Sequence, residues 1–273
     1  MLQSTLWFAA MNVFAKLLNH LPVMEVVFFR CAVSLTFCLV LLKRQNISST
    51  KGNSKLLFLR GAFGTIALYG YFVTLHHMPL GTAVTIQFLS PIFSVIVAIF
   101  MLNEKVKLPQ WFFFLFSFCG VLLIKGFDER VSLSYLLLGI GSAIFSSFAY
   151  NMIRTIKGKE HPLIVVLHFM LIGTITGFIA MFFDFEMPQK WDWLYLVLIG
   201  VSTQYGQIHM TKSLQVSNIA EVSILNYLGV LYAIVAGYFI FNESYGWLAV
   251  LGIVIVISGV VMNVVYTAKS KNV

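Results

Sequence analysis

Apolar runs of membrane-spanning length follow one another along nearly the whole chain, and this constrains the fold more than any other feature. They lie at about 2–21, 23–42, 56–76, 80–102, 108–125, 133–154, 162–183, 191–211, 217–241 and 246–267. Each approaches or exceeds the roughly 20 residues that a helix needs to cross a hydrocarbon core. In lipid a backbone must satisfy its own polar groups, so runs of this length predict helices and not open strands. Between them stand Pro22, Pro79-Leu80-Gly81, Pro109, Gly126 to Arg130, Gly158 to Pro162, Pro188 and Asn242 to Gly246. Only Lys43 to Lys55 forms a longer polar connection, so no soluble domain is inserted.

Composition agrees. Of 273 residues, 59% are hydrophobic and 10% are charged. A soluble domain carries roughly 25% charged residues to build a polar skin. The expected environment is therefore the lipid bilayer. The first run begins at Met1 with no basic region and no small-residue cleavage site, which predicts a spanning segment and not a signal peptide. So little polar sequence precedes it that a clipped first helix is expected. Cys31, Cys38 and Cys119 all lie in apolar runs, without CxxC or metal spacing, and read as small hydrophobes. No metal or other cofactor is expected.

The net charge of +8 would fit a nucleic-acid binder if it formed a patch. It does not. One set of alternate connections holds Lys43, Arg44, Lys51, Lys55, Arg60, Lys105, Lys107, Arg154, Lys157, Lys159, Lys212, Lys269 and Lys271; the other holds Lys125, Arg130 and Lys190. Basic residues gather on the cytoplasmic side, so both termini are expected in the cytoplasm and the number of spans to be even. The charge excess is topology, and no nucleic acid is expected as a partner.

The chain also aligns with itself. Positions 57–124 fall on 196–263 without a gap, bringing Asn103-Glu104 onto Asn242-Glu243 and Gly120-Val121 onto Gly259-Val260. Five spans separate the copies. Five is odd, so the copies must be inverted in the membrane, an arrangement that secondary transporters use to alternate access to a midplane site.

The runs "LPVMEVVFFR" and "LRGAFGTIALYGYFVTLHHMPLGTAVTIQFLSPIFSVIVAIFMLNEKV", and more faintly "FNESYGWLAVLGIVIVISGVV", resemble the EamA type of the drug/metabolite transporter superfamily. The likeness covers nearly the whole chain and is closest to the branch with S-adenosylmethionine carriers and the solute carrier 35G group. It implies an all-α integral membrane protein of ten transmembrane helices in two five-helix inverted repeats, 1–125 and 132–268. It further implies alternating access without ATP hydrolysis. One departure is Val230, where the first copy has Pro91. The expected setting is a bacterial plasma (inner) membrane, and the expected assembly a monomer or weak homodimer.

Polar side chains inside spans need a reason, because an ionisable group there costs roughly 2.5–3.5 kcal/mol even on lenient scales. Arg30 lies eight residues past Pro22 and can grip a carboxylate or phosphate, or pair with Glu25. Lys16 shares a helix face with Asn12 and can line a site or snorkel to the interface. Glu25 and Glu221 sit near opposite ends of their spans and read as outer and inner gates or as interfacial carboxylates. Gln87, Ser90 and Ser94 flank Pro91. Tyr150 and Asn151 share a face with Ser147 and Arg154, and Gln204 and Gln207 share one with Thr211. Asn226 and Tyr227 stand in register with Gln87 and Phe88. Each set can bind solute or glue helices. His168 and His209 lie within spans without ligand spacing, and paired small residues such as Gly61 with Gly64 read as helix contacts.

A membrane enzyme would need a paired Asp, a Ser/His pair or H-E-x-x-H on a helix, and Asp128, Asp184 and Asp192 all fall in connections. A channel would want a carbonyl filter or a ring of charge. The sequence therefore favours a secondary transporter of a small polar or zwitterionic metabolite. A channel or scramblase is the alternative, and an enzyme or receptor comes after it.

Overall fold

The structure, a computed structural model, describes residues 2–47, 54–102, 107–156, 159–216 and 228–271. Their regular structure is all helix, joined by turns and short irregular connections, with no strand among them. Eleven helices follow in order: α1 (Leu2–Leu17), α2 (Val23–Arg44), α3 (Ser54–His77), α4 (Leu80–Gln87), α5 (Ser90–Leu102), α6 (Leu108–Phe127), α7 (Leu133–Ile156), α8 (Pro162–Met181), α9 (Asp192–Val216), α10 (Leu228–Phe241) and α11 (Trp247–Lys271).

Among the described residues, seven segments are long and apolar enough to cross a membrane: α2, α3, Leu80–Met101, α6, α7, α8 and α11. Among the others, α1 has 16 residues and α10 has 14. Helix α9 has 25, with Gln204, Gln207, His209 and Lys212 among them. Outward faces carry large apolar side chains such as Phe100, Phe112, Leu122, Phe178 and Val254. Such a surface suits lipid and would aggregate in water.

The fourth apolar run, expected as one span over 80–102, divides at Phe88 and Leu89 into α4 and α5. Pro91 explains the break. It has no N–H to return to the Gln87 carbonyl, and its ring crowds that turn. The chain instead closes short turns, Leu89 N–H to Ile86 O at 3.0 Å and Ile92 N–H to Leu89 O at 2.9 Å.

Helices pair in sets that exchange when the first half of the chain is swapped for the second. Helix α1 packs on α9 as α3 packs on α7, and α2 on α9 as α3 on α8; α2 with α8, and α6 with α11, pair between themselves. At the last crossing the backbones nearly touch. Ser117 Oγ reaches Val256 O, 139 residues away, at 3.4 Å. A Cβ on Gly120 would stand 2.6 Å from the Gly252 carbonyl, and one on Gly259 would stand 2.9 Å from that of Phe113. Gly120→Val is therefore expected to force α6 from α11 and cost about 1–3 kcal/mol. Unfolding in mixed micelles measures it, and a cost no larger than that of Ala149→Val, at another buried small residue, would contradict the close crossing.

The three cysteines divide: Cys31 and Cys38 are buried, whereas Cys119 is exposed on α6.

Candidate functional site

Helices of both halves surround one cavity of about 900 Å³, counting the space at its mouth. Helix α1 supplies Thr5, Phe8 and Asn12; α2 supplies Arg30; α3 supplies Arg60, Gly64 and Tyr71. Gln87 comes from α4, Ser146 and Tyr150 from α7, Phe169 from α8, Gln207 from α9 and Gly229 from α10. Helices α5, α6 and α11 add no wall.

Arg30 is 1% exposed and held on four sides. Its Nε donates to Thr203 Oγ1 at 2.9 Å, and its Nη1 meets Cys31 Sγ at 3.7 Å. Its guanidinium lies 5.5 Å from the centre of the Phe72 ring and 5.7 Å from that of Phe169. It does not pair with Glu25. Five residues along a helix turn a side chain well away from the first, so the two never shared a face. The Glu25 carboxylate accepts the Glu186 backbone N–H at 3.0 Å instead, tying α2 to the α8–α9 connection.

Arg60 was grouped above with the loop cations, and the structure corrects that reading. It is 2% exposed and lies against the Phe169 ring, 4.4 Å from its centre. Its Nη2 has one long contact, 3.4 Å to Gln207 Oε1, and its Nε has no partner among the described residues. Gly64 makes this possible: a Cβ there would collide with the Arg60 guanidinium and stand 2.9 Å from Phe169. The small residue read as a helix contact also makes room for a cation.

Of the residues singled out from sequence, the cavity brings together Asn12, Arg30, Gln87, Tyr150 and Gln207. Gln87 is oriented by donating to Ser146 Oγ at 2.6 Å and accepting from Ser142 Oγ at 3.0 Å. Asn151 and Gln204 stand outside the lining and fasten helices together. Asn151 donates to Ser94 Oγ at 2.9 Å, and Gln204 accepts from Ser34 Oγ at 2.6 Å. Asn226, Tyr227 and Glu221 lie outside the described residues. His168 and His209 do not reach the cavity.

Lys16 also stands apart from the cavity, inside a polar knot at the end of the bundle where α1 finishes. Its Nζ pairs with Glu243 and donates to Met78 O at 2.7 Å. The Glu243 carboxylate accepts the Leu80 N–H at 2.8 Å and the Tyr245 hydroxyl at 2.6 Å. The Tyr245 oxygen accepts the Gly81 N–H at 3.0 Å. The carboxylate takes one orphan donor at the N-terminus of α4, Leu80 N–H, the Tyr245 oxygen takes the next, and the negative charge complements the helix dipole. Burial, with Glu243 beside it, pushes the Tyr245 phenol well above its usual value, which keeps its proton for donation. Arg130 extends the knot, bonded to Asp128 at 2.9 Å and to the Ser244 carbonyl. Sequence reading marked Glu243 only as half of a repeated Asn-Glu pair.

A helical bundle with a lipid-suited surface and an internal cavity that carries a few polar groups from both halves fits a multi-pass membrane protein that handles small molecules. The model of the EamA-like transporter family matches residues 1–126 and again 133–265, so the chain belongs to that family and is a membrane transporter. Among proteins it resembles is the pseudopaline exporter CntI of Pseudomonas aeruginosa, 28% identical over 88% of this chain and 83% of that one. Solute carrier family 35 member G1 of Mus musculus is 26% identical over 93% and 74%. An uncharacterized transporter of Helicobacter pylori is 27% identical over 94% and 90%. A solved structure described only as the crystal structure of a protein shares the fold, with TM-score 0.68 at 14% identity and 94% of each chain covered. These names point to transporters and not to enzymes.

Proposed function

We propose that the chain is a secondary carrier that moves a small polar or zwitterionic metabolite by alternating access, without hydrolysing ATP. The carrying observation is the cavity itself: polar groups of both halves converge on it, while the Lys16–Glu243 pair ties elements of both halves together apart from it. In this reading α4 and α5 form one broken span, and the spans total ten in two inverted repeats, 1–125 and 132–268. The exchange of helix pairings between halves supports it, as does the 139-residue offset recurring at the α6–α11 crossing. Broken helices near the midplane are a habit of such carriers. Similarity to proteins named as an exporter and a solute carrier supports a carrier over a channel. A bacterial inner membrane, cytoplasmic termini and a monomer or weak homodimer complete the proposal. Aromatic and amide groups around the cavity suit a polar solute.

Proteoliposomes loaded with a metabolite pool test the mechanism: uptake should saturate and show counterflow, and non-saturating flux would indicate a channel. Topology has its own readout. In a cysteine-free background, Gln45→Cys should label only from the cytoplasmic side and Met187→Cys only from the opposite side. Reversed labelling would overturn the orientation and the gates assigned from it.

A further inference from the structure

The cavity contains two buried guanidinium groups and no carboxylate among its described lining residues. We infer that Arg30 and Arg60 form an anion clamp, and that the transported solute carries a carboxylate or phosphate group bound between them. This deepens the transport reading and rests on it.

The argument is one of uncompensated charge. Both cations lie near one ring, Arg30 at 5.7 Å and Arg60 at 4.4 Å from the centre of Phe169. Aromatic faces offset part of the desolvation of a cation, but they carry no net charge. Among the described residues neither guanidinium forms an ion pair. Eight of the ten Asp and Glu are described, and all of these lie at helix ends or in connections. Glu25 is held by the Glu186 N–H. Two like charges in a low-dielectric interior repel, and a fold built for stability alone would place apolar side chains there. A buried donor without a partner calls for an explanation, and an acceptor brought by the solute supplies one. Arg60 fits that description best, with its Nε unpaired and Gly64 clearing its place. Guanidinium forks match the paired oxygens of carboxylate and phosphate.

Thermal unfolding of the purified protein in neutral detergent tests the clamp without needing transport, so a failed counterflow experiment leaves its result standing. The probes are succinate, inorganic phosphate, choline and sorbitol in constant salt, with phosphatidylglycerol micelles as a separate arm. Succinate or phosphate should raise the wild-type midpoint by several degrees, and choline and sorbitol should not. Arg60→Gln should leave the unliganded midpoint unchanged or higher while abolishing the anion shift. A shift from phosphatidylglycerol alone, lost in Arg60→Gln, would support the clamp with a lipid headgroup as its source. A wild type indifferent to all three anions, or an Arg60→Gln that keeps the shift, would overturn it. Should Arg60→Gln fail to fold, Gly64→Ala decides, since its methyl displaces the guanidinium without removing charge. Anion affinity should then fall at least tenfold, and an unchanged affinity refutes the clamp.

Discussion

Glu243→Ala is expected to abolish exchange and to cost about 3–5 kcal/mol of stability, because one carboxylate holds together parts far apart in sequence. Its partners are Lys16 on α1, the first N–H of α4, and Tyr245 before α11. The Lys16 and Glu243 side chains are only 11% and 9% exposed, which places the pair in the buried regime, where breaking it strands a charge. Lys16 would keep only the Met78 carbonyl and the face of Phe241. Leu80 N–H would lose its acceptor as well. Glu243→Gln separates these effects: its amide oxygen can still accept from Leu80, but it cannot pair with Lys16. Adding Lys16→Met should then recover about 0.5–3 kcal/mol of coupling without restoring exchange, since the end of the bundle no longer closes by charge. Wild-type melting and wild-type counterflow in Glu243→Ala would remove the knot from the mechanism.

How far the sequence anticipated this site depended on how local the signal was. Apolar runs and the breaks between them are local, and they delimit most of the helices, although the run 80–102 reads as one span and Pro91 divides it into α4 and α5. The α6–α11 crossing is readable too, because the glycine of each copy meets the helix of the other. The knot is different. Lys16 and Glu243 are 227 residues apart, and no spacing rule joins them. Arg60 was hidden by its neighbourhood: six residues into α3, just after Lys55, it counts as a flanking cation until its helix is rotated in three dimensions. Faces misled in a related way. Asn151 shares one with Tyr150's turn, yet Ser94 on α5 takes its amide, while Tyr150 lines the cavity. A helical face says which residues travel together, but its neighbours decide which of them reach the cavity.

Arg30→Ala is expected to lower the specificity of transport, kcat/KM, by about 100-fold or more. Truncating one partner of a buried hydrogen-bonded charge pair costs about 2–5 kcal/mol in binding, and tenfold corresponds to about 1.4 kcal/mol. Membrane insertion should survive, because removing a buried cation relieves desolvation and does not add to it. Arg30→Lys discriminates charge from geometry. It keeps the cation but loses the planar fork, the Nε donor to Thr203 and the broad contact with Phe72 and Phe169. An intermediate loss of about tenfold, appearing in KM, would mean that the fork orients the anion. Thr203→Val removes only the acceptor that aims the side chain, so its loss should be smaller than that of Arg30→Lys. Counterflow at matched expression measures all three. Full transport by Arg30→Ala would make this guanidinium a packing group, held by Thr203 and two rings and never touched by solute.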